Sequence, residues 1–449
     1  MKVLKFGGTS VSCANNIAQI AHIAQRSGSK FMVFSALSGS TNQLTLFADF
    51  LAQENFKATN ELIEQITHHF RKFSCDLLEN HPEQLQVALE YVGLLATWLA
   101  GCFQKPFSES LKNEIIAQGE LFSSRLISLY FKSQQIEHIY LPALDFMRTD
   151  KDGEPDYFYI KQQLKQQCIG YPNNPIWVTQ GFICLDAKGE IANLGRGGSD
   201  YTATIIGACL EAEEVQIWSD IDGFHNNDPR YVTPTKPLAE LSFDEAAELA
   251  YFGAKILHPA TVLPVKNLGI PVRLKNTVQP EAKGSLITQK TCKTGIKAIA
   301  AKDGITVIKI KSERMLLAHG FLKKVFDIFE RYQTAIDMIT TSEIAISLTI
   351  DNDTYLEPIA KELSVFSRVQ IEQEMSIICL VGNSIVNHPD TSRLFQIMQD
   401  VNLRMIAYGG SNNNISLLVN TSAKKAVLNK LNHYVFRTPK KELPELVEY

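Results

Sequence analysis

The chain lacks any close pairing of cysteines. Its eight cysteines are scattered from Cys13 to Cys379 with no C-x-x-C, which excludes a compact disulfide framework and a zinc ribbon. They read as reduced, partly buried thiols. Neither sign of charge is in excess, with 44 Lys and Arg against 48 Asp and Glu, so there is no electrostatic footprint for nucleic acid or for an anionic membrane surface. A small-molecule partner is expected instead. No apolar segment of signal-peptide length follows Met1, and the most apolar stretch, 91–103, reads as too short to cross a bilayer. The expectation is a protein with no membrane contact, located in the cytoplasm. Familiar nucleotide motifs are missing too: there is no G-x-x-x-x-G-K-[ST], no H-R-D and no D-F-G, and Gly195-Arg196-Gly197-Gly198-Ser199-Asp200 fails G-x-G-x-x-G at its last position. A phosphate site has to be found elsewhere.

What is present is enough apolar residue for a large core: 449 residues, 45% hydrophobic and 20% charged, a length suited to two or three domains. Up to about residue 290, short apolar runs alternate with helical patterns, the signature of an α/β domain with a largely parallel sheet. Lys2–Phe6, Phe31–Ser35, Ile176–Phe182 and Val215–Ser219 are the strand candidates, and Leu62–Leu78 with Leu85–Phe103 reads as a helical hairpin broken at His81-Pro82, suited to a lid or a dimer contact. The polar stretch 279–295 marks a boundary, placed at 292/293. Beyond it, Ile305–Ile310, Gly320–Tyr332, Ile336–Ile339 and Ile344–Ile350 follow the order strand, helix, strand, strand. Ser376–Val381, Thr391–Val401, Arg404–Tyr408 and Ile415–Val419 repeat it. Two small βαββ units in tandem suggest a duplicated binding module spanning about 303–380 and 381–449, with interleaving possible.

Three segments carry chemistry. Lys5-Phe6-Gly7-Gly8-Thr9-Ser10 is a strand ending in glycines that let backbone N–H groups approach an anion, with Lys5 as a point charge; the structural alternative is a tight turn capped by Thr9 or Ser10. In Gly195–Asp200 three glycines leave one guanidinium, Arg196, in a bare loop at a helix start, suited to a carboxylate or phosphate; a flexible loop capped by Ser199 or Asp200 is the alternative. Trp218-Ser219-Asp220-Ile221-Asp222-Gly223-Phe224-His225-Asn226-Asn227-Asp228-Pro229-Arg230 closes a strand with polar and turn residues, where open α/β sheets bind ligands; otherwise it is an Asp/Asn-rich surface loop. Gly119-Glu120 and Phe252-Gly253-Ala254-Lys255-Ile256-Leu257-His258-Pro259 are weaker signals, and a lone helical Glu is usually solvated. The spacing of Asp220, Asp222 and Asp228 is not that of a calcium loop, so no protein-held metal is expected, and Mg²⁺ would arrive with ATP.

Together these segments resemble the aspartate kinases of the amino-acid-kinase family, in order and over nearly the whole chain: K-F-G-G-T-S, Q-G-E at Glu120, G-R-G-G-S-D, W-S-D-I-D-G-F-H-N-N-D-P-R and F-G-A-K-I-L-H-P. The resemblance implies an α/β three-layer sandwich with a largely parallel central sheet, followed by a C-terminal α+β pair of ACT modules of βαββαβ type. It implies that Lys5, Gly7 and Gly8 hold ATP phosphates, that Ser219, Asp220, Arg230 and Lys255 hold the nucleotide, and that His225 stands where many relatives carry Tyr. It places Ser35, Thr41, Glu120, Arg196 and Ser199 in the aspartate pocket, with Asp200 orienting the catalytic Lys5. H-G-F-L at 319–322 and I-D-M-I-T-T-S-E at 336–343 resemble the effector loop of lysine-inhibited members, matching at Met315, Gly320, Phe321, Leu322, Ile336, Asp337, Ser342 and Glu343. Phe321, Leu322 and Ile336 read equally well as core residues. By the same resemblance the chain is expected to be monofunctional, to act in lysine, threonine, methionine and diaminopimelate synthesis, and to pair through its ACT modules as a dimer or dimer of dimers.

The residue types fit that chemistry on their own. A carboxylate nucleophile is already ionised at pH 7 and needs no general base. It needs cations, because bringing it to about 4 Å from a phosphoryl charge costs several kcal/mol at an effective dielectric of about 20, and Lys5 with Mg²⁺ would offset that. Free aspartate offers an α-carboxylate and an α-ammonium, which Arg196 and Glu120 would match; an acetylglutamate kinase has no ammonium for Glu120. A catalytically silent amino-acid sensor is the reading from another class, opposed by the intact Lys5, Glu120, Arg196 and Asp200.

Overall fold

The computed structural model describes residues 1–169, 175–253, 257–291, 293–312 and 319–436. The chain forms two compact units. The first comprises Met1–Phe224, Ala239–Phe243 and Leu257–Lys290, and the second His225–Leu238, Asp244–Ile256 and the chain from Thr291 onward.

The strands of the first unit are β1 (Lys2–Phe6), β2 (Lys30–Phe34), β3 (Ile139–Tyr140), β4 (Ile176–Gln180), β5 (Ile183–Leu185), β6 (Ile191–Asn193), β7 (Glu214–Ser219), β8 (Glu240–Ser242), β9 (Val272–Asn276) and β10 (Ser285–Thr288). Eight of them make one sheet in the order β3-β4-β2-β1-β7-β9-β10-β8, and β5 and β6 form a separate hairpin. Every pairing in the large sheet is parallel except β9 with β10, as expected of a largely parallel α/β sheet. The helices are α1 (Ala14–Ala24), α2 (Ser40–Ala52), α3 (Phe56–Leu78), α4 (Pro82–Gly101), α5 (Glu109–Ser133), α6 (Tyr157–Cys168), α7 (Gly198–Cys209), α8 (Phe243–Phe252) and α9 (Leu263–Asn267). All of α8 after Phe243 belongs to the second unit.

The central strands are held in register partly by aromatic stacking. Phe6 of β1 is level with Phe34 of β2 and Trp218 of β7, and its ring stacks on both at 5.4 and 5.8 Å. All three are buried. Such pairs add about 0.5–1.5 kcal/mol each beyond area burial, and here they brace the carboxyl ends of three adjacent strands.

The helical hairpin forms where Pro82 stands in the first turn of α4, a position that costs no hydrogen bond. Ile66, Phe70, Phe73 and Leu77 make one apolar stripe on α3, and Ala88, Val92, Leu95 and Leu99 one on α4; both stripes enter the core shared with β1, β2 and α5. One expectation is corrected here. The apolar stretch around 91–103 was read as too short to cross a bilayer, but the continuous segment Pro82–Gln104 has the length and composition to do so. The sequence reading cut it short by ignoring the less apolar first half of α4.

The second unit is a six-stranded antiparallel sheet of β11 (Gly295–Lys311), β12 (Ile339–Thr341), β13 (Ala345–Ile350), β14 (Arg368–Asn383), β15 (Met405–Ala407) and β16 (Asn414–Asn420), in the order β12-β13-β11-β14-β16-β15. Its helices are α10 (Phe321–Arg331), α11 (Leu356–Ser364), α12 (Pro389–Ile397) and α13 (Lys424–Phe436). Two cores result: α10 and α11 cover one, where Phe321, Val325, Ile328 and Phe329 meet Ile346 and Leu348, and Leu394, Val427, Leu428 and Leu431 meet Ile378 and Leu417 in the other. The two βαββ units share one sheet because β11 and β14 are long and pair with each other along their length.

Candidate active site

In the first unit the strand ladder continues past the ends of β1, β2, β4 and β9. The Gly7 N–H donates to Trp218 O (3.1 Å), Ser35 N–H to Phe6 O (3.1 Å), Gly181 N–H to Phe34 O (2.8 Å) and Thr277 N–H to Ser219 O (2.8 Å). The loops that leave these strands are thereby gathered at one edge of the sheet, the carboxyl-end crevice where parallel α/β sheets bind ligands.

Lys5, at the end of β1, points its ammonium to within 2.6 Å of Asp200 Oδ1, and both side chains are largely withdrawn from water. Asp200 lies in the first turn of α7, where a carboxylate is favoured by the helix dipole. A methyl group added at Gly7 would come 3.4 Å from the Lys5 Nζ, and one at Gly8 3.6 Å from Ala36 O, so Gly7 keeps the space beside the ammonium bare and Gly8 the space beside the Ala36 carbonyl. Ser10 is not a helix cap: its hydroxyl donates to Trp218 O at 3.0 Å and shares a buried hydrogen bond of 2.7 Å with Thr277 Oγ1. The helix starts later, at Ala14, which corrects both the Thr9 or Ser10 cap and the nearby helix start.

Glu120, in the middle of α5, is not solvated but 3% exposed. Its Oε1 accepts the Ala36 N–H at 3.2 Å, while Oε2 is buried without a partner. Burial pushes the carboxyl up to about 8, against the opposing pull of the Ala36 N–H. Gly119 permits this approach, since a Cβ there would be 2.9 Å from Ala36 Cβ. Ser123 ties the same helix to the loop by donating to Ser35 O at 2.8 Å. Thr41 lies in the first turn of α2, behind Gly39 in the left-handed conformation.

The loop Gly195–Asp200 turns through two left-handed glycines, Gly195 (φ 69°) and Gly197 (φ 73°). Gly197 caps α7, so Ser199 and Asp200 stand inside the first turn and do not cap it. Arg196 is exposed and Ser199 buried. A Cβ at Gly197 would meet Thr261 Cγ2 at 2.9 Å and His258 Cβ at 3.3 Å, which gives His258 a packing role. Gly181 was missed by the sequence reading. A Cβ there would lie 2.5 Å from Ser199 Cβ, so the turn after β4 and the start of α7 are in contact. Its signal, a glycine directly after a parallel strand, is the one that marks Gly7. Thr277, also missed, carries no such signal.

Ser219 ends β7, where its hydroxyl accepts the Ile221 N–H at 3.3 Å, and Asp220 is exposed beside it. The motif 218–230 divides after Phe224, with His225 and Arg230 in the second unit. There His225 Nδ1 pairs with Thr235 Oγ1 at 2.8 Å, and the Arg230 guanidinium lies against Asp228 at 2.6 Å. Lys255 and Met315 lie outside the described residues. Among the described residues no group of three His, Cys, Asp or Glu side chains gathers to hold a metal.

Of the effector candidates, Gly320 caps α10 in the left-handed conformation (φ 81°), Phe321 is buried, Leu322 is exposed, and Ile336 packs against the α10 core. The Ser342 N–H donates to Ala345 O at 2.8 Å, and Glu343 is exposed. The Asp337 carboxylate is 1% exposed and lies 2.8 Å from the Lys302 ammonium.

Residues 1–276 match the sequence profile of the Amino acid kinase family, and residues 378–434 that of the ACT domain. The lysine-sensitive aspartokinase 3 of Escherichia coli (strain K12) is 34% identical over 451 residues, covering 97% of this chain and 99% of that protein. Two solved structures of E. coli aspartokinase III superpose over 97% of this chain and 100% of theirs. The complex with aspartate and ADP (R-state) does so with a TM-score of 0.79 at 34% identity, and the complex with lysine and aspartate (T-state) with 0.80 at 33%. The chain belongs to the amino acid kinase family and, within it, to the aspartokinases.

Proposed function

We propose that the chain moves the γ-phosphoryl group of ATP onto the side-chain carboxylate of L-aspartate, giving ADP and 4-phospho-L-aspartate, and that lysine restrains it. The observation that carries the substrate reading is Glu120: a buried carboxylate with one oxygen unpartnered, at the same strand edge as the Lys5 ammonium, is suited to a ligand that brings its own ammonium. The E. coli relative has been seen with aspartate and ADP and with lysine and aspartate.

The chain's own groups account for the step. The aspartate side chain attacks as a carboxylate, so no base has to remove a proton. Lys5, fixed by Asp200, presents positive charge where the phosphoryl group is transferred, and Gly7 and Gly8 leave room for the phosphate oxygens. Glu120 and Arg196 hold the α-ammonium and α-carboxylate, Ser35, Thr41 and Ser199 border the pocket, and Ser219, Asp220, His225, Arg230 and Lys255 attend the nucleotide. Positive charge beyond that of Lys5 would come from Mg²⁺ carried in with ATP.

Gly320, Phe321, Leu322, Ile336, Asp337, Ser342, Glu343 and Met315 form the lysine site, with Asp337 accepting the effector ammonium. The thiols of Cys102, Cys184, Cys209 and Cys379, free and buried, suit the reducing cytoplasm. Assembly as a dimer or dimer of dimers uses the ACT sheet, whose outer strand β12 and helix α10 expose Ile339, Leu322 and Phe326. The deciding experiment supplies aspartate, acetylglutamate or glutamate with ATP and traps the acyl phosphate with hydroxylamine. Aspartyl hydroxamate should be the main product, and faster ADP release with acetylglutamate would overturn the assignment.

A further inference from the structure

Asp337 is a carboxylate whose two oxygens are treated differently. Oδ1 takes two donors, the Lys302 ammonium at 2.8 Å and the Tyr251 hydroxyl at 2.6 Å, while Oδ2 is buried with no partner. The side chain is 1% exposed, so water does not satisfy that oxygen either, and a buried acceptor left unmet is a standing cost to the fold. Lys302 is itself shared. Its ammonium lies 2.8 Å from Asp351 Oδ2 and 4.3 Å from the centre of the Tyr251 ring.

The charge count around Lys302 follows: two carboxylates, Asp337 and Asp351, against one ammonium leave the cluster one positive charge short. A second ammonium placed on Asp337 Oδ2 would supply both the missing charge and the missing donor. Tyr251 adds a route outward. It sits in the last turn of α8, four residues before Lys255 in the sequence, so the hydroxyl that grips Asp337 belongs to the segment that goes on to carry a proposed nucleotide contact.

We propose that the effector site extends to Tyr251, Lys302 and Asp351: Lys302 and Tyr251 clamp Asp337 Oδ1 so that Oδ2 receives the amino group of a small amino acid, Asp351 supplies the charge that this cation balances, and Tyr251 couples occupancy to α8. The inference rests on the lysine reading of Asp337. Neither Tyr251, Lys302 nor Asp351 falls within the two segments that suggested that reading. Lys302 is held charged in this cluster: burial works against its charge, and the hydrogen bonds to Asp337 and Asp351 outweigh it.

The test uses the full-length enzyme and two near-isosteric variants, Asp351→Asn and Tyr251→Phe, with lysine as ligand in calorimetry and in activity curves normalised to each variant's own uninhibited rate. Asp351→Asn removes the uncompensated charge and should weaken lysine binding by on the order of tenfold. Tyr251→Phe should bind lysine within about threefold of the unmodified enzyme yet lose most of the inhibition, because coupling and affinity are separate quantities. Unchanged affinity in Asp351→Asn, or unchanged inhibition in Tyr251→Phe, overturns the proposal. If the unmodified enzyme binds no lysine, the parent reading fails and takes the proposal with it. If it binds lysine and Asp337→Ala abolishes that binding, the parent reading stands and the two variants alone decide the extension.

Discussion

The ammonium of Lys5 lies 2.6 Å from Oδ1 of Asp200, joining the end of β1 to the first turn of α7. With Lys5 as the proposed catalytic charge, Asp200 acts through it as a positioning residue. Lys5→Ala should lower kcat by roughly 100- to 1000-fold, the scale of losing one group that stabilises transition-state charge, with little change in KM for aspartate. Asp200→Ala should cost less. The double variant should be no slower than Lys5→Ala, because the second residue works only through the first. Steady-state kinetics on the three proteins check this.

With Glu120 as the proposed partner of the substrate ammonium, substrate affinity should depend on pH. Its carboxyl is raised by burial from 4.5 to about 8, so at neutral pH the empty pocket holds the acid, whereas a bound ammonium needs the carboxylate. Aspartate should therefore release about one proton on binding near pH 7, measurable by calorimetry in buffers of different ionisation enthalpy. Its KM should fall as pH rises from about 6 to about 8, and Glu120→Gln should remove both effects.

The same shift predicts a stability slope of opposite sense. Between 4.5 and about 8 the folded chain keeps a proton that the unfolded chain releases, so this group's contribution declines as pH rises and is level above that range, at up to about 1.4 kcal/mol per pH unit. Urea midpoints across the range should fall less steeply for Glu120→Gln than for the unmodified protein.

Arg196 is exposed on a glycine loop, and its proposed partner, the α-carboxylate, is a group that does not react. Arg196→Ala should raise KM for aspartate at least tenfold and leave kcat within a few-fold, since uniform binding energy appears in KM. Arg196→Lys should recover only part of the affinity, because a point charge does not reproduce a two-pronged carboxylate contact.

In the second unit, Glu245 is fully buried, with Lys297 2.8 Å from its Oε1 and also bonded to Thr291 Oγ1 at 2.6 Å. Lys297→Met would remove the Lys297 ammonium from that buried carboxylate and should destabilise the unit by about 3–5 kcal/mol, whereas the double change Glu245→Leu/Lys297→Met should regain most of the loss. Denaturant unfolding of the single and double variants separates the two.

The amino-acid order by itself determined two of the four strand ends at this edge, while Phe31–Ser35 and Ile176–Phe182 overran β2 and β4, which end at Phe34 and Gln180. Lys2–Phe6 was legible to the residue, and Val215–Ser219 lacked only its first residue, because an apolar run stopped by glycine or by a polar turn is a local property of the backbone. The strand β9 was missed because Arg273 and Lys275 interrupt its apolar pattern, and the first half of β14 because Arg368, Gln370, Glu372 and Glu374 give it a polar face; both strands are held by their neighbours more than by their composition. Lys5, Glu120, Arg196 and Asp200 could be picked out as a set, but by their spacing Glu120 was an ordinary helical glutamate and Asp200 a possible cap. Only the packed structure decided that Gly119 lets α5 approach Ala36 closely enough to bury Glu120, and that the pairing of β1 with its neighbours sets Lys5 against α7. Burial and the meeting of distant side chains depend on which surfaces close on one another, and no periodicity along a single chain records that.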